Sequence, residues 1–417
     1  MTEDVCIRYV GNDGAGVAYS PAGVFSVPFT LPSERVLVAR QRKQATLIAL
    51  KDASKERVSP RCRHFGACGG CVLQHWEISS YQEWKRSLLV AAIKARGISA
   101  EIAPLISGRP FARRRLTLHA CATPQGQVLG FHRYRSGEVI DIEECPIAHP
   151  AITEKLPDIR ALCAFLLQDC KNFDVTITLA QNGLDVAFGD CLFLSERVRQ
   201  KLVQGALACG FLRLSVAGEV ILEQERPHLS FNGVRVDLPP ANFLQASHDA
   251  EKAMVALVVA ALSKSKNAVD LFSGLGTFSF SMAKTMQVYA IESDGAAVQA
   301  FARAAREARG LKPIRYSQRD LFRRPLLAKE LSEFDAIVFD PPRAGAEKQT
   351  QEIAKTKVPK VVAVSCNPLS LARDLEILVK GGYQIEKIVP IDQFLWSPHL
   401  EIVAVLHKRS EKRGWKF

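Results

Sequence analysis

A single cysteine in "VSCNPLSLARDL" and three cysteines within "CRHFGACGGC" are the residues of this chain best suited to chemistry. Cys366 follows an apolar run, Val361 to Val364, that reads as a buried strand. Asn367-Pro368 breaks that strand, and Leu369 to Leu378 then repeats apolar residues at helical spacing. A thiol at the carboxyl end of a strand in an open α/β sheet lies where such sheets bind ligands. There it can be a nucleophile, a metal ligand or a small buried residue. Two carboxylates read with it. Asp340 opens "DPPRAG", where two prolines end an apolar strand and fix the loop. Glu401 opens the last strand, after "DQFLWSPHL". Thiol and base together suit a carbon too weakly nucleophilic to react alone, such as C5 of a pyrimidine. Thiolate addition to C6 makes C5 an enolate carbon, and a base must later remove the C5 proton. Asp340 can accept a hydrogen bond from uracil N3–H, a proton cytosine lacks. His399 can serve as a base, orient Glu401 or be a loop residue.

Cys62, Cys68 and Cys71 are spaced C-x5-C-x2-C, with "GG" permitting a tight loop, and Cys145 stands apart in "IEECPIAHP". Three close thiols and one distant thiol can hold a [4Fe–4S] cluster, and zinc is the alternative. His64 and His75 read as loop residues. Cys6, Cys121, Cys163, Cys170, Cys191 and Cys209 are scattered and read as structural thiols, because disulfides are not expected in a cytosolic chain.

The elements that must position these groups follow an α/β pattern. From about residue 266, strands "NAVDLF", "QVYAIE", "FDAIVFD" and "KVVAVSC" alternate with helical segments. The chain closes on "GYQIEKIVPID" and "LEIVAVLHK", two strands joined by a turn-rich piece. That ending is typical of class I methyltransferases rather than dehydrogenases. Gly274 and Gly276 occupy the first strand-to-helix turn, but Ser279 stands where a dinucleotide fingerprint needs its third glycine. Glu292 ends the next strand, placed to accept from ribose hydroxyls. An adenosyl group without a pyrophosphate, S-adenosylmethionine, fits this set, with Asp320 near the adenine. Arg343 stands after Asp-Pro-Pro where amino methyltransferases carry an aromatic residue, which disfavours N-methylation.

Upstream, residues 5 to 50 alternate apolar and polar in five short runs, expected to form an antiparallel barrel. The expected division is a barrel over 1–58, a central mixed α+β domain over 59–235, and a class I Rossmann-like catalytic domain over 236–417. A helix within 80–106 is placed to pack on the catalytic domain. A net charge of +12 suits a polyanionic partner, above all nucleic acid. Arg113, Arg114 and Arg115 in "FARRRLTLHA", with Arg133 and Arg135 in "GFHRYRSGEV", are candidate RNA contacts. The acid-bearing start and the lack of a transmembrane-length apolar run point to a cytoplasmic protein without a membrane partner, expected as a monomer.

"DPPRAG", "VSCNPLSLARDL" and "DQFLWSPHLE" together resemble the signature segments of the RNA 5-methyluridine methyltransferases, and the likeness spans essentially the whole chain. It implies Cys366 as nucleophile, Glu401 as proton-abstracting base and Asp340 at the junction of S-adenosylmethionine and uracil. It implies cofactor contacts from Gln245 in "NFLQAS", Phe272, Thr277, Glu292 and Asp320. It favours an iron–sulfur cluster at the four cysteines and likens residues 1–58 to a TRAM domain, an oligonucleotide-fold RNA binder. That domain favours large-subunit, 23S-type ribosomal RNA over transfer RNA. Thr277 replaces the family's usual Asn, Ser247 stands where Asn is common, and Leu395-Trp396 replaces a proline after Phe394. A transfer-RNA uracil methyltransferase, a cytosine-C5 enzyme and a non-catalytic RNA-binding iron–sulfur assembly factor are the rival readings.

Overall fold

The strand–helix alternation after residue 266 builds one open seven-stranded sheet. Its strands are β1 (Asn267–Leu271), β2 (Gln287–Glu292), β3 (Ile314–Gln318), β4 (Ala336–Phe339), β5 (Lys360–Ser365), β6 (Tyr383–Ile391) and β7 (Glu401–Lys408). The spatial order is β3-β2-β1-β4-β5-β7-β6. β1 to β5 pair in parallel, and β7 runs antiparallel between β5 and β6. β1, β4 and β5 are covered on both faces, which is why they read as continuous apolar runs. The strand order reverses between β1 and β4, so their carboxyl ends open on a crevice. The computed structural model describes residues 2–409, apart from Ala22, Arg42, Lys43, Gln125, Asp190 and Leu192.

The N-terminal runs close into a barrel of five strands, Thr2–Val10, Gly16–Ser20, Gly23–Val27, Arg35–Gln41 and Gln44–Asp52. Its interior is Val5, Ile7, Ala18, Phe25, Val27, Val36 and Val38. The following link is anchored to it by Glu34, fully buried, which accepts from Arg57 Nη2 at 2.8 Å.

The central region is a second seven-stranded sheet, with the helices Leu156–Leu166 and Glu196–Ala208 beside it. Sequence reading took it as a β-rich mixed α+β domain and did not place these two helices. Its disulfide overturns another expectation: Cys170 and Cys191 are bonded, with Cα atoms 5.9 Å apart. Fold topology brings together residues 21 positions apart, and their spacing carries no sign of it.

Two features cross the expected divisions. The hairpin His228–Phe231 and Val234–Asp237 packs Leu229, Phe231, Val234 and Val236 against Phe280 and Phe301, so the chain joins the catalytic layer before residue 236. The helix expected within 80–106 runs Ile78–Lys94 and buries Leu89, Ala92 and Ile93 in the catalytic core. It stops short because the later residues are extended: Ile102 and Ile106 bridge Ile388 and Ile391 along β6. In return Leu395 and Trp396, from the β6–β7 loop, are buried in the central core. Among the described residues no helix is long and apolar enough to cross a membrane.

Inside the central sheet, Arg213 grips Asp185 through two bonds of 2.9 and 2.8 Å, both side chains nearly inaccessible. Arg213→Ala leaves a buried carboxylate alone and is expected to cost roughly 3–5 kcal/mol. Replacing both residues by apolar ones of similar volume should recover most of that loss. Calorimetric melting of the three proteins checks this order.

Candidate active site

Four strand ends converge on Cys366. It follows β5, half-exposed, with Asn367 behind it as the N-cap of the helix Pro368–Lys380. Asn367 also donates to the Arg343 carbonyl at 3.0 Å, tying the Cys366 turn to the loop after Asp340. Asp340 follows β4, and its backbone N–H donates to the Leu271 carbonyl at 3.3 Å. Glu401 is the first residue of β7 and is buried, although a late glutamate is ordinarily solvated.

Two glutamines join the carboxylates. Gln245 Nε2 donates to Asp340 Oδ2 at 3.1 Å. Gln393 Nε2 donates to Gln245 Oε1 at 2.9 Å and to Glu401 Oε1 at 3.2 Å. Sequence reading named Gln245 but passed over Gln393, whose one signal was its place inside "DQFLWSPHLE". His399 stands off this chain; its Nδ1 lies 3.4 Å from Arg343 Nη2. Burial and the nearby Arg343, Lys85 and Arg113 charges push it down to about 4, so it is neutral at ordinary pH.

Enclosure shapes the electrostatics. Burial first, then the charge of Asp340, raises Glu401 well above the usual carboxylate range. Burial raises Asp340 to about 7, against the pull of the Gln245 amide. Burial, Glu401 and Asp340 push the Cys366 thiol up to about 11, and Arg343 opposes them. The free site therefore favours protonated groups, and each proton that leaves must be matched by a rearrangement of charge.

The turn expected to hold the cofactor lies one strand away. Phe272 and Gly274 take the left-handed region at φ +62 and +54. Gly276, at φ +95, has no room for a Cβ, which would stand 2.5 Å from the Phe280 ring. Glu292 is occupied in shaping this turn: Oε2 accepts from Gly274 N at 2.9 Å and Oε1 from Asp294 N at 2.9 Å. Asp320 caps the next turn through Phe322 N at 2.9 Å, bringing the Phe322 ring within 5.4 Å of Phe272. Thr277 lines a different groove, with His248, Lys252 and Lys284.

The arginines are engaged within the chain. Arg114 holds Glu251 at 2.5 Å and the Gln245 carbonyl at 2.9 Å, so it supports the site from behind. Arg113 lies 5.8 Å from the Phe394 ring centre. Arg115 Nη2 donates to the Ala241 carbonyl at 3.4 Å. Arg133 pairs with Glu138 at 2.6 Å, and Arg135 pairs with Asp13 of the barrel.

Cys62, Cys68, Cys71 and Cys145 line one small cavity with Phe65, Phe131, Ile142 and Ile147. Among the described residues no group of three or more His, Cys, Asp or Glu is arranged to hold a metal ion. Burial pushes Cys71 up to about 12 and Cys145 up to about 11. Four such thiols can ionise together only if cations neutralise them. His75 lies in a turn, as a loop residue. It is fully buried, its ring 5.1 Å from Phe65, and burial pushes it down to about 3.

Comparisons with known proteins bear on this geometry. Residues 234–409 match the family model described as tRNA (Uracil-5-)-methyltransferase. An uncharacterized RNA methyltransferase of Brucella suis biovar 1 is 51% identical over 407 residues, covering 98% of each chain. The 23S rRNA (uracil(1939)-C(5))-methyltransferase of Shewanella halifaxensis is 32% identical over 419 residues, covering 95% of this chain and 94% of its own. The fold is shared with the tRNA (uracil-54, C5)-methyltransferase of Pyrococcus abyssi, crystallised with S-adenosyl-L-homocysteine. The TM-score is 0.75 at 24% identity, over 97% of this chain and 99% of that one.

The raised Cys366 thiol generates a prediction. Below about pH 11 its thiolate fraction grows tenfold per pH unit. Iodoacetamide should therefore modify Cys366 slowly at pH 7 and about a hundredfold faster at pH 9. Peptide-resolved mass spectrometry of timed samples measures both rates.

Proposed function

Because this chain belongs to the RNA uracil-C5 methyltransferase family by similarity over almost its whole length, we propose that it methylates C5 of a uracil in large-subunit ribosomal RNA. The observation that carries the reading is the unbroken chain Asp340–Gln245–Gln393–Glu401 beside Cys366. The relative named as a 23S ribosomal RNA enzyme favours ribosomal over transfer RNA.

The steps assigned to the residues are these. Cys366 gives up its proton to solvent and, as thiolate, bonds to uracil C6, and the C5–C6 electron pair shifts through C4 onto O4. Asp340 accepts from N3–H and holds the ring, its Gln245 partner keeping the carboxylate in place. S-adenosylmethionine, held near Phe272, Gly274, Glu292 and Asp320, supplies the electrophilic methyl group. Once C5 carries that methyl, Glu401, having given up its own proton to solvent when substrate binds, takes the C5 proton as a carboxylate. The C5–H electron pair re-forms the double bond to C6, and the Cys366 thiolate departs. A carboxylate with a raised pKa is the stronger base, which suits a carbon-bound proton. The target uracil must leave its stack to reach this crevice, which is easiest in a loop.

We assign the four-cysteine cavity to a [4Fe–4S] cluster held by Cys62, Cys68, Cys71 and Cys145. Four thiolates around an apolar cavity suit it. Zinc is the alternative occupant, because four thiolates also suit it. Methyl transfer consumes no electrons, so the role read here is structural. Anaerobically purified protein should contain iron and acid-labile sulfide in equal amounts, and Cys145→Ser should lose both. Zinc in their place would overturn the assignment.

The activity test uses total RNA from cells lacking the gene, with labelled S-adenosylmethionine. Nucleoside mass spectrometry should find 5-methyluridine in large-subunit ribosomal RNA. Cys366→Ala should abolish it. Glu401→Gln should stop after methyl transfer, leaving protein covalently joined to methylated RNA on a denaturing gel. Methyl on transfer RNA instead would overturn the substrate assignment. No 5-methyluridine in either RNA would overturn the activity.

A further inference from the structure

We propose that Tyr81 and Lys85, on the helix Ile78–Lys94, are positioning residues for the proton-removal step, acting through Asp392 on the loop that leads to Glu401. The inference rests on the reading of Glu401 as base.

Tyr81 and Lys85 lie four residues apart and so share one helix face. Both are 0% exposed, and Asp392 is 1% exposed. Every polar group in the cluster is used. Lys85 Nζ donates to Asp392 Oδ1, to Tyr81 Oη at 2.9 Å and to the Phe394 carbonyl at 2.9 Å. Tyr81 Oη donates to Asp392 Oδ2 at 2.8 Å and accepts from Trp396 N at 2.8 Å. A buried ion pair is a poor way to gain stability alone, since apolar replacements often do as well. What it supplies is a single geometry with every donor and acceptor fixed.

That geometry is imposed on the loop after β6. Asp392 N donates to the Ile106 carbonyl at 2.8 Å, and the Trp396 carbonyl accepts from Val72 N at 3.0 Å and Leu73 N at 3.2 Å. Trp396 sits at φ +58, a conformation a bulky residue rarely takes without support. Between these anchors lies Gln393, whose amide reaches Glu401. Releasing Asp392 therefore releases Gln393, and Glu401 loses its partner. Among the described residues the turn at Phe272 to Gly276 makes no hydrogen bond to the cluster, and Gln393 also reaches Gln245, so elimination suffers more than cofactor binding.

The test compares Tyr81→Phe, Lys85→Met and Glu401→Gln in the full chain. Each is incubated with total RNA from cells lacking the gene and methyl-labelled S-adenosylmethionine. Three quantities are read: 5-methyluridine release, labelled covalent protein–RNA adduct, and S-adenosylmethionine affinity. Release should fall about tenfold in Tyr81→Phe and about a hundredfold in Lys85→Met, the scale for roughly an ångström of misplacement. Adduct should rise in both, and cofactor affinity should fall less than release. General loss of structure lowers adduct and affinity together, so the adduct separates positioning from folding. If Lys85→Met does not fold, Tyr81→Phe decides alone. Wild-type release in folded Tyr81→Phe, or slow release without adduct, overturns the proposal. If Glu401→Gln itself gathers no adduct, the assignment of the base fails first and this inference with it.

Discussion

Asp340 and Glu401 cannot both carry full charge where they stand. Each is enclosed, Asp340 raises the affinity of Glu401 for a proton, and together they raise that of Cys366. In water these groups would titrate independently, the carboxyls near 4 and the thiol near 8.5. The crevice can tolerate them because Gln245 and Gln393 share their amide protons between the two carboxylates. The rest of the molecule supports that arrangement.

Holding two amides and two acids in one line takes more than one layer of structure. Gln245 belongs to the segment before the first catalytic strand, and its carbonyl is gripped by Arg114 at the start of a central strand. Gln393 belongs to the loop between β6 and β7, whose Leu395 and Trp396 are buried in the central core. The helix Ile78–Lys94 buries one end in the central core and the other in the catalytic core. The site is thus supported from both sides, and the central region acts as part of its wall. Leu395-Trp396, a departure from the family's usual proline, is part of that support.

The cysteine loop shares the same scaffold. Val72 and Leu73, next to Cys71, donate to Trp396, while Gly69 donates to the His132 carbonyl beside the Arg133–Arg135 hairpin. The loop therefore touches the catalytic loop on one flank and a basic surface on the other. The five arginines singled out for RNA have internal partners, some exposed and salt-screened, others half-buried and structural. Net charge of +12 still favours a polyanion.

Local pattern determined much of this protein. Alternating runs marked the barrel, and apolar strands alternating with helices marked the open sheet, because periodicity reports which face is buried. Proline after Asp340 and Asn367-Pro368 after Cys366 placed both groups at strand ends, where loop chemistry is local. Tertiary structure alone decided the rest. Gln393 reads as an ordinary glutamine until Gln245 is brought to it across 148 positions. Lys85 reads as a solvated helix lysine until Asp392, 307 positions away, arrives to pair with it. Cys170 and Cys191 have unremarkable spacing until two loops meet. A hydrogen bond or ion pair between distant segments leaves no periodic trace. Its partners are ordinary polar residues whose burial is set by topology, and topology is decided by the packing of whole elements.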